Sequence, residues 1–283
     1  MNREKIAACV VLYQPDQQLF KNITSYCEEI SRVFVIDNSD VPTDMSILQA
    51  KYPFIQYIFK GGNLGIATAL NEAVHKARAE GFEWILTMDQ DSSFAEGALS
   101  LYLTSFDAMD KYKVGIVSLH HHMGEENAGV QEWEQINSTM TSGNLLNIEC
   151  HLETGGFLDK LFIDYVDHEF CLRIRKQGYA IWQNNRVNLI HQLGALKVKK
   201  IFGLSIPYTN HHPIRRYYIT RNRLYVIFKY FAFSPSSSLT ELSHMINEGI
   251  KIVLFEKDKL KKAKSIILGI KDFIFSNFGK YPY

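Results

Sequence analysis

Apolar residues in the first half of the chain fall into short runs separated by longer amphipathic stretches. The runs of strand length are Ile6–Tyr13, Val33–Ile36, Ile55–Phe59, Trp84–Met88 and Val114–Leu119. Between them the sequence predicts helices up to about residue 31, over Leu64–Ala79 and over about Ala95–Met109, because apolar residues recur every three or four positions. Strands that alternate with helices pair in parallel, so we predict a three-layer α/β sandwich with a parallel sheet.

The pattern becomes less regular after residue 120. Asp167–Gln177 is predicted as a helix that stops at Gly178, and Val187–Ile190 as further strand material. From about Ile214 the chain is predicted to be mostly helical, aromatic and basic, with a turn at Ser234–Ser238. We therefore divide the chain into an α/β domain over residues 1–210 and a helical extension over residues 211–283.

Polar clusters follow three of the predicted strands. They are Asp37-Asn38-Ser39, Gly61-Gly62-Asn63 and Asp89–Asp91. In parallel sheets ligands bind beyond the carboxyl ends of the strands, so we expect these clusters to line one crevice. Two acids as close as Asp89 and Asp91 are costly to desolvate unless a cation or a donor satisfies them, and such oxygen ligands suit Mg²⁺ or Mn²⁺. A helix cap or a turn is the alternative interpretation of these acids.

The formal net charge of +1 conceals an uneven distribution of charge. Residues 1–196 carry 15 Lys+Arg against 25 Asp+Glu, whereas residues 197–283 carry 16 against 5. The basic tail is expected either to meet something anionic, such as a membrane surface, phosphate groups or nucleic acid, or to pack on the acidic half.

The sequence lacks the patterns that are typical of secreted or membrane-spanning proteins. No run of about 18 apolar residues appears, and the N-terminus lacks a signal-like apolar segment. The four cysteines have no CxxC spacing, so we expect reduced and mostly buried thiols in a cytosolic protein. His120-His121-His122 is expected to be a surface loop rather than a metal site, since consecutive side chains point in different directions.

Seven segments, in this order, carry a family resemblance that covers about residues 6–225. They are VVLYQPD (10–16), VIDNSD (35–40), GGNLGIATALNEAV (61–74), TMDQDSS (87–93), GGFLDKLFIDYVDHEFCLRIRKQGY (155–179), IHQLG (190–194) and HHPIRRYYITRNR (211–223). The chain resembles inverting family-2 glycosyltransferases, and within them bacterial rhamnosyltransferases. The resemblance implies the GT-A fold, a mostly parallel Rossmann-like sheet flanked by helices, here with a helical basic C-terminal extension.

The resemblance also implies a site for a nucleotide-sugar donor. Asp37 matches the carboxylate that pairs with a pyrimidine N–H, and Asp89 matches the acid that faces the ribose. Other matched positions are Tyr13, Asn63 and Gly65 near the nucleotide, and Arg215 and Arg221 near the diphosphate. From the residues alone, Asp37 also fits an ordinary turn, the Asn63–Gly65 segment fits a loop-to-helix junction, and the arginines fit a solvated basic helix.

The same resemblance assigns the metal and the catalytic base. Asp91 and His191 are the implied ligands of a divalent ion, Mg²⁺ or Mn²⁺, and Asp167 is the implied general base. Asp164, Glu169 and Arg173 are the implied acceptor or supporting residues. Val166 departs from the family pattern, which often has Glu there. Asp167 also fits a helix N-cap.

We therefore expect transfer of L-rhamnose from dTDP-L-rhamnose to a glycan or lipid-linked glycan, in synthesis of a bacterial O-antigen, capsule or rhamnan. The alternatives are another UDP- or dTDP-hexose donor, or a noncatalytic sugar-nucleotide-binding module. The tail lacks a nucleic-acid motif. Its lysines and following apolar residues (266–278) suit an anionic membrane interface on the inner face of the cell membrane, or else a helical bundle or homo-oligomer contact.

Overall fold

A computed structural model describes residues 5–121, 131–191, 197–201 and 204–281. These residues form two compact units. The first unit contains the chain up to Asp159 and again from Phe170 through the following long strand. The second contains Lys160–Glu169 and the described residues from 197 onward. These units divide the chain at residues other than 210. The predicted domain boundary at residue 210 stays a prediction.

The first unit is built on one mixed sheet. Its strands are β1 (Ile6–Leu12), β2 (Val33–Asp37), β3 (Ile55–Phe59), β4 (Trp84–Asp89), β5 (Ser92–Phe94), β6 (Val114–His121), β7 (Trp133–Gln135), β8 (Asn144–Asn147) and β9 (Ala180–His191). Its helices are α1 (Leu19–Cys27), α2 (Ser46–Lys51), α3 (Ile66–Ala79), α4 (Ala98–Ala108) and α5 (Ile148–Glu153). A further helix, α6 (Val166–Lys176), begins in the second unit and ends in the first.

The sheet order is β3-β2-β1-β4-β8-β6-β9-β5, with β7 paired to β9. Strands β3, β2, β1 and β4 run parallel, which confirms the predicted α/β architecture. β8 runs antiparallel to both β4 and β6. The sequence pattern did not predict β5, β7 or β8, because strands of three or four residues are too short to show a period.

The core explains why these segments are strands. Side chains alternate across a strand, so Val10 and Leu12 face the cluster that α1 and α4 complete, whereas Cys9 lies outside that cluster. Ile23 of α1 and Phe106 of α4 are fully buried there. Burial of each such side chain contributes about 1.5–3 kcal/mol relative to exposure. Helix α3 also contacts β1, β2 and β4, but its buried residues lie outside this cluster.

The second unit is mainly helical. It contains the antiparallel pair β10 (Lys197–Ile201) and β11 (Leu204–Tyr208), followed by α7 (Pro213–Tyr230), α8 (Pro235–Phe255) and α9 (Lys259–Ile274). Helix α7 is its centre, since it packs on both α8 and α9 and is buried along most of its length. These three helices confirm the predicted helical extension.

The structure tests four local predictions from the sequence. The predicted turn at Ser234–Ser238 is wrong, because Pro235 occupies the first turn of α8, where its missing N–H costs nothing. His120 lies in β6 rather than in a loop, while His122 and the side chain of His121 fall outside the described residues. All four cysteines are buried, and no disulfide forms among them. Within the described ranges, no helix combines the length and apolar character needed to span a bilayer.

Candidate active site

The carboxyl ends of the parallel strands meet at one edge of the first unit. Leu12 pairs with Asp37 and Val11 pairs with Asp89, so β1, β2 and β4 end side by side. Asp37 also pairs with Phe59, so the glycine loop after β3 leaves at the same edge. This edge carries the predicted donor residues Tyr13, Asp37, Asn63, Gly65 and Asp89.

The turn between β4 and β5 is held by a side chain that the sequence did not single out. The Gln90 Oε1 atom accepts the Tyr13 backbone N–H at 2.8 Å, and Gln90 Nε2 donates to the Tyr13 carbonyl at 3.2 Å. Asn22 Nδ2 donates to the Gln90 carbonyl at 2.9 Å, and the Asp89 N–H donates to Ser142 Oγ at 3.0 Å. The turn that carries both acids is thereby fixed to β1, to α1 and to the segment before β8.

Asp91 lies at the surface of this turn. Its side chain is exposed and lines a cavity of about 350 Å³ beside α1, together with Lys21, Ser25 and Ser93. The next residue, Ser92, pairs with His191, which places the two predicted metal positions close in the strand register. The side chain of His191 falls outside the described residues. Among the residues that are described, no three His, Cys, Asp or Glu side chains form a ready metal site.

Asp37 is bound by the protein itself. It is fully buried, with Oδ1 accepting the Ser39 N–H at 2.9 Å and Oδ2 accepting the Thr43 N–H at 2.9 Å and the Tyr57 hydroxyl at 2.7 Å. Burial alone raises the pKa of Asp37, but these hydrogen bonds outweigh it and hold the pKa below its usual value. The contacts give Asp37 the turn-forming role that the sequence left open.

Asn38, the next residue, is buried but only partly satisfied. Its Nδ2 donates to the Gly65 carbonyl at 3.0 Å, while its Oδ1 has no hydrogen-bond partner among the described residues. Asn63 Oδ1 accepts the Gly65 N–H at 2.9 Å, and Gly65 has φ of +90°, a conformation that favours glycine. Asn63 and Gly65 therefore shape the start of α3, and Asn38 offers an acceptor at this edge.

In the second unit, the residues that precede α6 adopt an unusual backbone. Phe162, Asp164 and Tyr165 have φ of +67°, +60° and +64°, a region that non-glycine residues rarely occupy. Asn222 Nδ2 lies 2.8 Å from the carbonyls of Leu161 and Ile163 and 2.9 Å from that of Asp164. Strained backbone persists where its surroundings over-determine it, and one amide of α7 does so here.

Arg221 occupies a different place from the one the resemblance implies. It is fully buried, and its guanidinium donates to the carbonyl of Leu161 at 3.2 Å, to the carbonyl of Gly279 at 2.9 Å and to the Tyr217 hydroxyl at 3.2 Å. These donors are used inside the second unit. The structure therefore favours a supporting role for Arg221 rather than the expected diphosphate contact.

Asp164 and Arg215 form a pair at the start of α7. Arg215 Nε and Nη2 both lie 3.1 Å from Asp164 Oδ1, and the arginine side chain is 52% exposed. Asp164 Oδ2 is buried without a hydrogen-bond partner among the described residues. Burial raises the pKa of Asp164 above its usual value despite the neighbouring arginine. Arg215 is thus the more accessible of the two arginines predicted for the donor.

Asp167 lies in the first turn of α6 with its side chain 24% exposed. Its Oδ1 accepts the His168 backbone N–H at 2.8 Å and contacts His168 Nδ1 at 3.0 Å. Burial alone raises the pKa of Asp167, but the contacts with His168 outweigh it and lower the pKa. Asp167 is therefore held as a carboxylate, the form that a general base requires.

Glu169 and Arg173, on the same helix, have structural contacts. Glu169 is fully buried, and its Oε1 accepts hydrogen bonds from Lys229 Nζ at 2.8 Å and from the Tyr230 hydroxyl at 2.6 Å. In the first unit, Arg173 Nη1 donates to the Thr154 carbonyl at 2.6 Å, beyond the end of α5. These contacts fit the supporting role that the sequence analysis gave to both residues.

Comparison with known proteins gives a consistent result. Residues 9–158 match the family described as Glycosyl transferase family 2. The dTDP-rhamnosyl transferase RfbF of Shigella flexneri is 30% identical over an alignment that covers 94% of each chain.

Solved structures share the fold at low identity. S. aureus TarS has a TM-score of 0.59 at 15% identity over 96% of this chain, which spans about half of TarS (49%). TarS 1-349 in complex with UDP-GlcNAc has a TM-score of 0.58 at 17% identity, over 95% of this chain and 80% of that one. GalNAc-T7 with UDP, GalNAc and Mn²⁺ has a TM-score of 0.52 at 9% identity, over 70% and 44%. With the family match and its near full-length relative, these likenesses confirm the predicted fold class. The chain belongs to glycosyl transferase family 2 and is a glycosyltransferase with the GT-A fold.

Proposed function

We propose that this enzyme is an inverting rhamnosyltransferase that moves L-rhamnose from dTDP-L-rhamnose to a glycan acceptor. The product would be a bacterial surface polysaccharide, such as an O-antigen, capsule or rhamnan. The observation that carries the proposal is the 30% identity, over 94% of both chains, to a protein named dTDP-rhamnosyl transferase. The proposed partners are this donor and a glycan or lipid-linked glycan, in the cytoplasm at the inner face of the cell membrane.

The edge of the first unit is the proposed nucleotide site. Asn38 supports this assignment because its buried Oδ1 has no partner among the described residues and accepts from an N–H such as that of a pyrimidine ring. Asp37 then holds the surrounding turn rather than the base. Tyr13, whose side chain is 45% exposed, supplies a ring beside the nucleotide, and Asp89 is proposed to face the ribose.

A divalent ion, Mg²⁺ or Mn²⁺, is the proposed cofactor. The exposed Asp91 carboxylate fits a hard cation, and His191, whose strand position pairs with Ser92, is the second proposed ligand. GalNAc-T7, which shares the fold, was solved with Mn²⁺. When bound, the ion supplies charge neutralisation for the diphosphate leaving group. Arg215 is the proposed cationic side chain for the same group.

The proposed reaction is a single displacement at the anomeric carbon. An acceptor hydroxyl oxygen attacks C1 of rhamnose from the face opposite the diphosphate, and the hydroxyl proton passes to the Asp167 carboxylate. The bond between C1 and the phosphate oxygen breaks, and its electron pair leaves with dTDP. Asp167 suits this role because its contacts with His168 keep it deprotonated.

A panel of donors tests the proposal. The full-length chain is heated with dTDP-rhamnose, dTDP-glucose, UDP-glucose or GDP-mannose, each with Mg²⁺, with Mn²⁺ or with EDTA. A hundredfold excess over Kd stabilises a protein by about 2.7 kcal/mol, so dTDP-rhamnose with metal should raise Tm by several degrees. Asp91→Asn should abolish transfer and the metal-dependent part of this shift.

The same panel separates the alternatives. A shift with another UDP- or dTDP-hexose alone would replace the proposed donor while leaving the family intact. Binding of dTDP-rhamnose without metal-dependent donor hydrolysis or transfer would instead indicate a noncatalytic sugar-nucleotide-binding module. Full transfer by Asp91→Asn would remove the proposed metal role.

A further inference from the structure

Two half-buried acids of helix α8, Glu241 and Glu248, face arginines of α7. Arg216 Nη1 lies 2.7 Å from Glu248, and Arg223 lies 2.7 Å from Glu248 and 3.2 Å from Glu241. Both arginines belong to α7 and are nearly fully buried. An amphipathic helix of a globular protein normally turns its apolar side to the core. The inner face of α8 instead carries these ion pairs beside the buried Ser238 and Ile252.

The opposite face of α8 is apolar and exposed. Its residues recur at helical spacing and are 51–63% exposed: Leu239, Ile246, Ile250, Val253 and Leu254. Together with Gly249, the last four of these line a groove of about 390 Å³. A single exposed aliphatic residue needs no explanation, but a contiguous apolar stripe marks an interaction site.

Helix α9 also buries polar residues while several of its apolar residues stay exposed. Its buried residues are Lys262, Ser265, Gly269 and Asp272, whereas Leu260, Ile267, Ile274 and Phe275 are 65–88% exposed. Gly269 fixes this orientation, because a Cβ there would lie 2.8 Å from the Tyr217 carbonyl of α7. Helix α9 therefore cannot rotate its apolar side inward without separating from α7.

The ion pairs also determine the sign of the surface charge. Five carboxylates follow residue 211, and four of them bind partners inside the second unit: Glu241, Glu248, Glu256 and Asp272. Asp258 is the one carboxylate in the described part of this stretch that faces solvent. The exposed lysines between the end of α8 and the end of α9 are Lys257, Lys259, Lys261, Lys264 and Lys271. The inward pairing removes negative charge from the surface and leaves the lysines beside the apolar stripes.

We infer that the outer faces of α8 and α9 form a docking surface for an anionic lipid bilayer. Apolar side chains beside lysines suit a helix that lies in the interface, where the lysines meet lipid headgroups. A second copy of this chain is disfavoured as the occupant, because a symmetric contact would set one lysine-rich face against another. Binding to the bilayer would depend only on the outer faces of α8 and α9, and it would not depend on which sugar the donor carries.

The residues available for contact with the bilayer differ from those that the sequence predicted. The sequence places it on the apolar run over residues 266–278. In the structure, however, Leu268 packs against Tyr217 and Tyr218, and the rings of Phe273 and Phe278 contact Phe228 and Tyr225. Leu268, Phe273 and Phe278 therefore pack against the second unit instead of facing outward. The α8 stripe, which the sequence did not single out, adds five exposed apolar residues and the groove of about 390 Å³.

Co-sedimentation with vesicles tests the inference. The full-length chain, without sugar nucleotide, is mixed with vesicles of pure phosphatidylcholine or of equal parts phosphatidylcholine and phosphatidylglycerol. We expect binding to the anionic vesicles and little to the neutral ones. Ile246→Glu with Ile250→Glu should weaken binding at least tenfold, since each buried isoleucine side chain contributes about 1.5–3 kcal/mol. Changing Lys257, Lys259 and Lys261 to Gln should weaken it on the order of 100-fold.

Ile47→Glu is the matched control. Ile47 lies on helix α2 of the first unit and is 73% exposed, against 63% for Ile246. Combined with Val41→Glu at a 75% exposed residue, it adds the same two charges at similarly exposed aliphatic sites. It should leave vesicle binding unchanged. Equal binding by the α8 variant and the control, with unchanged circular dichroism for both, would overturn the inference. A concentration-dependent dimer in lipid-free solution that the α8 substitutions dissociate would also overturn it, in favour of a second copy.

Discussion

The two units place their carboxylates in opposite ways. In the first unit, Asp89 and Asp91 lie where a parallel strand ends, outside an aliphatic core, and Asp91 is exposed. In the second unit, Glu169 and Glu256 lie inside, bound by lysine, arginine and tyrosine side chains, while aliphatic residues face solvent. Asp91 is thus at the surface of the first unit, whereas Glu169 and Glu256 lie in the interior of the second.

This difference indicates which acids serve chemistry and which serve structure. A carboxylate whose oxygens are bound by buried donors has little capacity left for a ligand. Removal of such an acid leaves its partner charge buried without compensation, so the free energy of unfolding should fall. Removal of accessible acids such as Asp91 and Asp167 should instead lower the rate of sugar transfer. Asp37 accepts three hydrogen bonds from the protein, so its removal should also lower stability, and its predicted contact with the donor stays a prediction.

The largest expected effect is that of Asp167→Asn on transfer. The amide cannot accept the acceptor proton, so the rate of rhamnosyl transfer should fall about 10²–10⁴-fold. Because Asp167 is part-exposed, the free energy of unfolding should change by less than about 1 kcal/mol. Product formation and urea unfolding measure the two quantities on the same sample. A variant that loses stability along with activity would place Asp167 in the structural group.

Glu256→Gln should have the opposite profile. Glu256 is buried and binds Arg216 and Lys262, each at 2.7 Å. Its neutralisation removes the carboxylate paired with Lys262 and leaves Arg216 with Glu248. Loss of one partner from a buried pair costs about 3–5 kcal/mol, and urea unfolding should show a loss of this size. Asp258→Asn is the control, since this acid lies two residues away and is exposed. We expect it to change stability by less than about 0.5 kcal/mol. Similar losses in both variants would contradict the distinction between the units.

The sequence was sufficient to predict the parallel part of the sheet. Strand lengths and helical periods predicted β1 to β4 within one or two residues, and the polar clusters at their ends predicted the edge where Asp37 and Asp89 lie. Strand length, helical period and polar clusters all depend on residues close together in the sequence, so the sequence alone is enough to recognise them. The antiparallel β8 could not be predicted, since its place between β4 and β6 depends on long-range pairing.

Side-chain roles were harder to predict than positions. Nothing local distinguishes Asp37, which the protein satisfies, from Asp91, which it leaves at the surface. Arg215 and Arg221 lie in one basic segment, yet only the structure shows that the first is accessible and the second buried. An amphipathic pattern likewise shows that α8 has two faces. Which face is buried depends on the arginines of α7, far away in sequence.

The first unit also has a polar interior residue, and its effect should depend on pH. His151 is buried, and burial, with smaller contributions from His75 and Arg173, lowers its pKa from 6.5 to about 3. Between these values the unfolded chain binds a proton that the folded chain does not. The free energy of unfolding should therefore fall by about 1.4 kcal/mol for each pH unit of acidification below 6.5.

His151→Gln isolates this contribution. Glutamine does not titrate, and it retains a group able to contact Asn71 Oδ1, which lies 2.9 Å from His151 Nε2. Unfolding by urea at pH 7 and at about pH 5.5 should show a smaller acid loss in the variant, by about 1.4 kcal/mol. Parallel pH profiles for the two proteins would show that His151 is not the residue responsible.

The smallest expected effect is that of Gln90→Leu, because the hydrogen bonds it removes are exposed. The Gln90 amide ties the turn that carries Asp89 and Asp91 to the Tyr13 backbone, and a typical hydrogen bond contributes about 0.5–1.5 kcal/mol. If the turn positions the donor, KM for dTDP-rhamnose should rise up to about tenfold with kcat nearly unchanged. Gln17→Leu, at another exposed glutamine, should leave both constants unchanged. A fall in kcat without a change in KM would indicate that the turn acts on the chemical step, and that the contacts around these acids contribute more than donor placement.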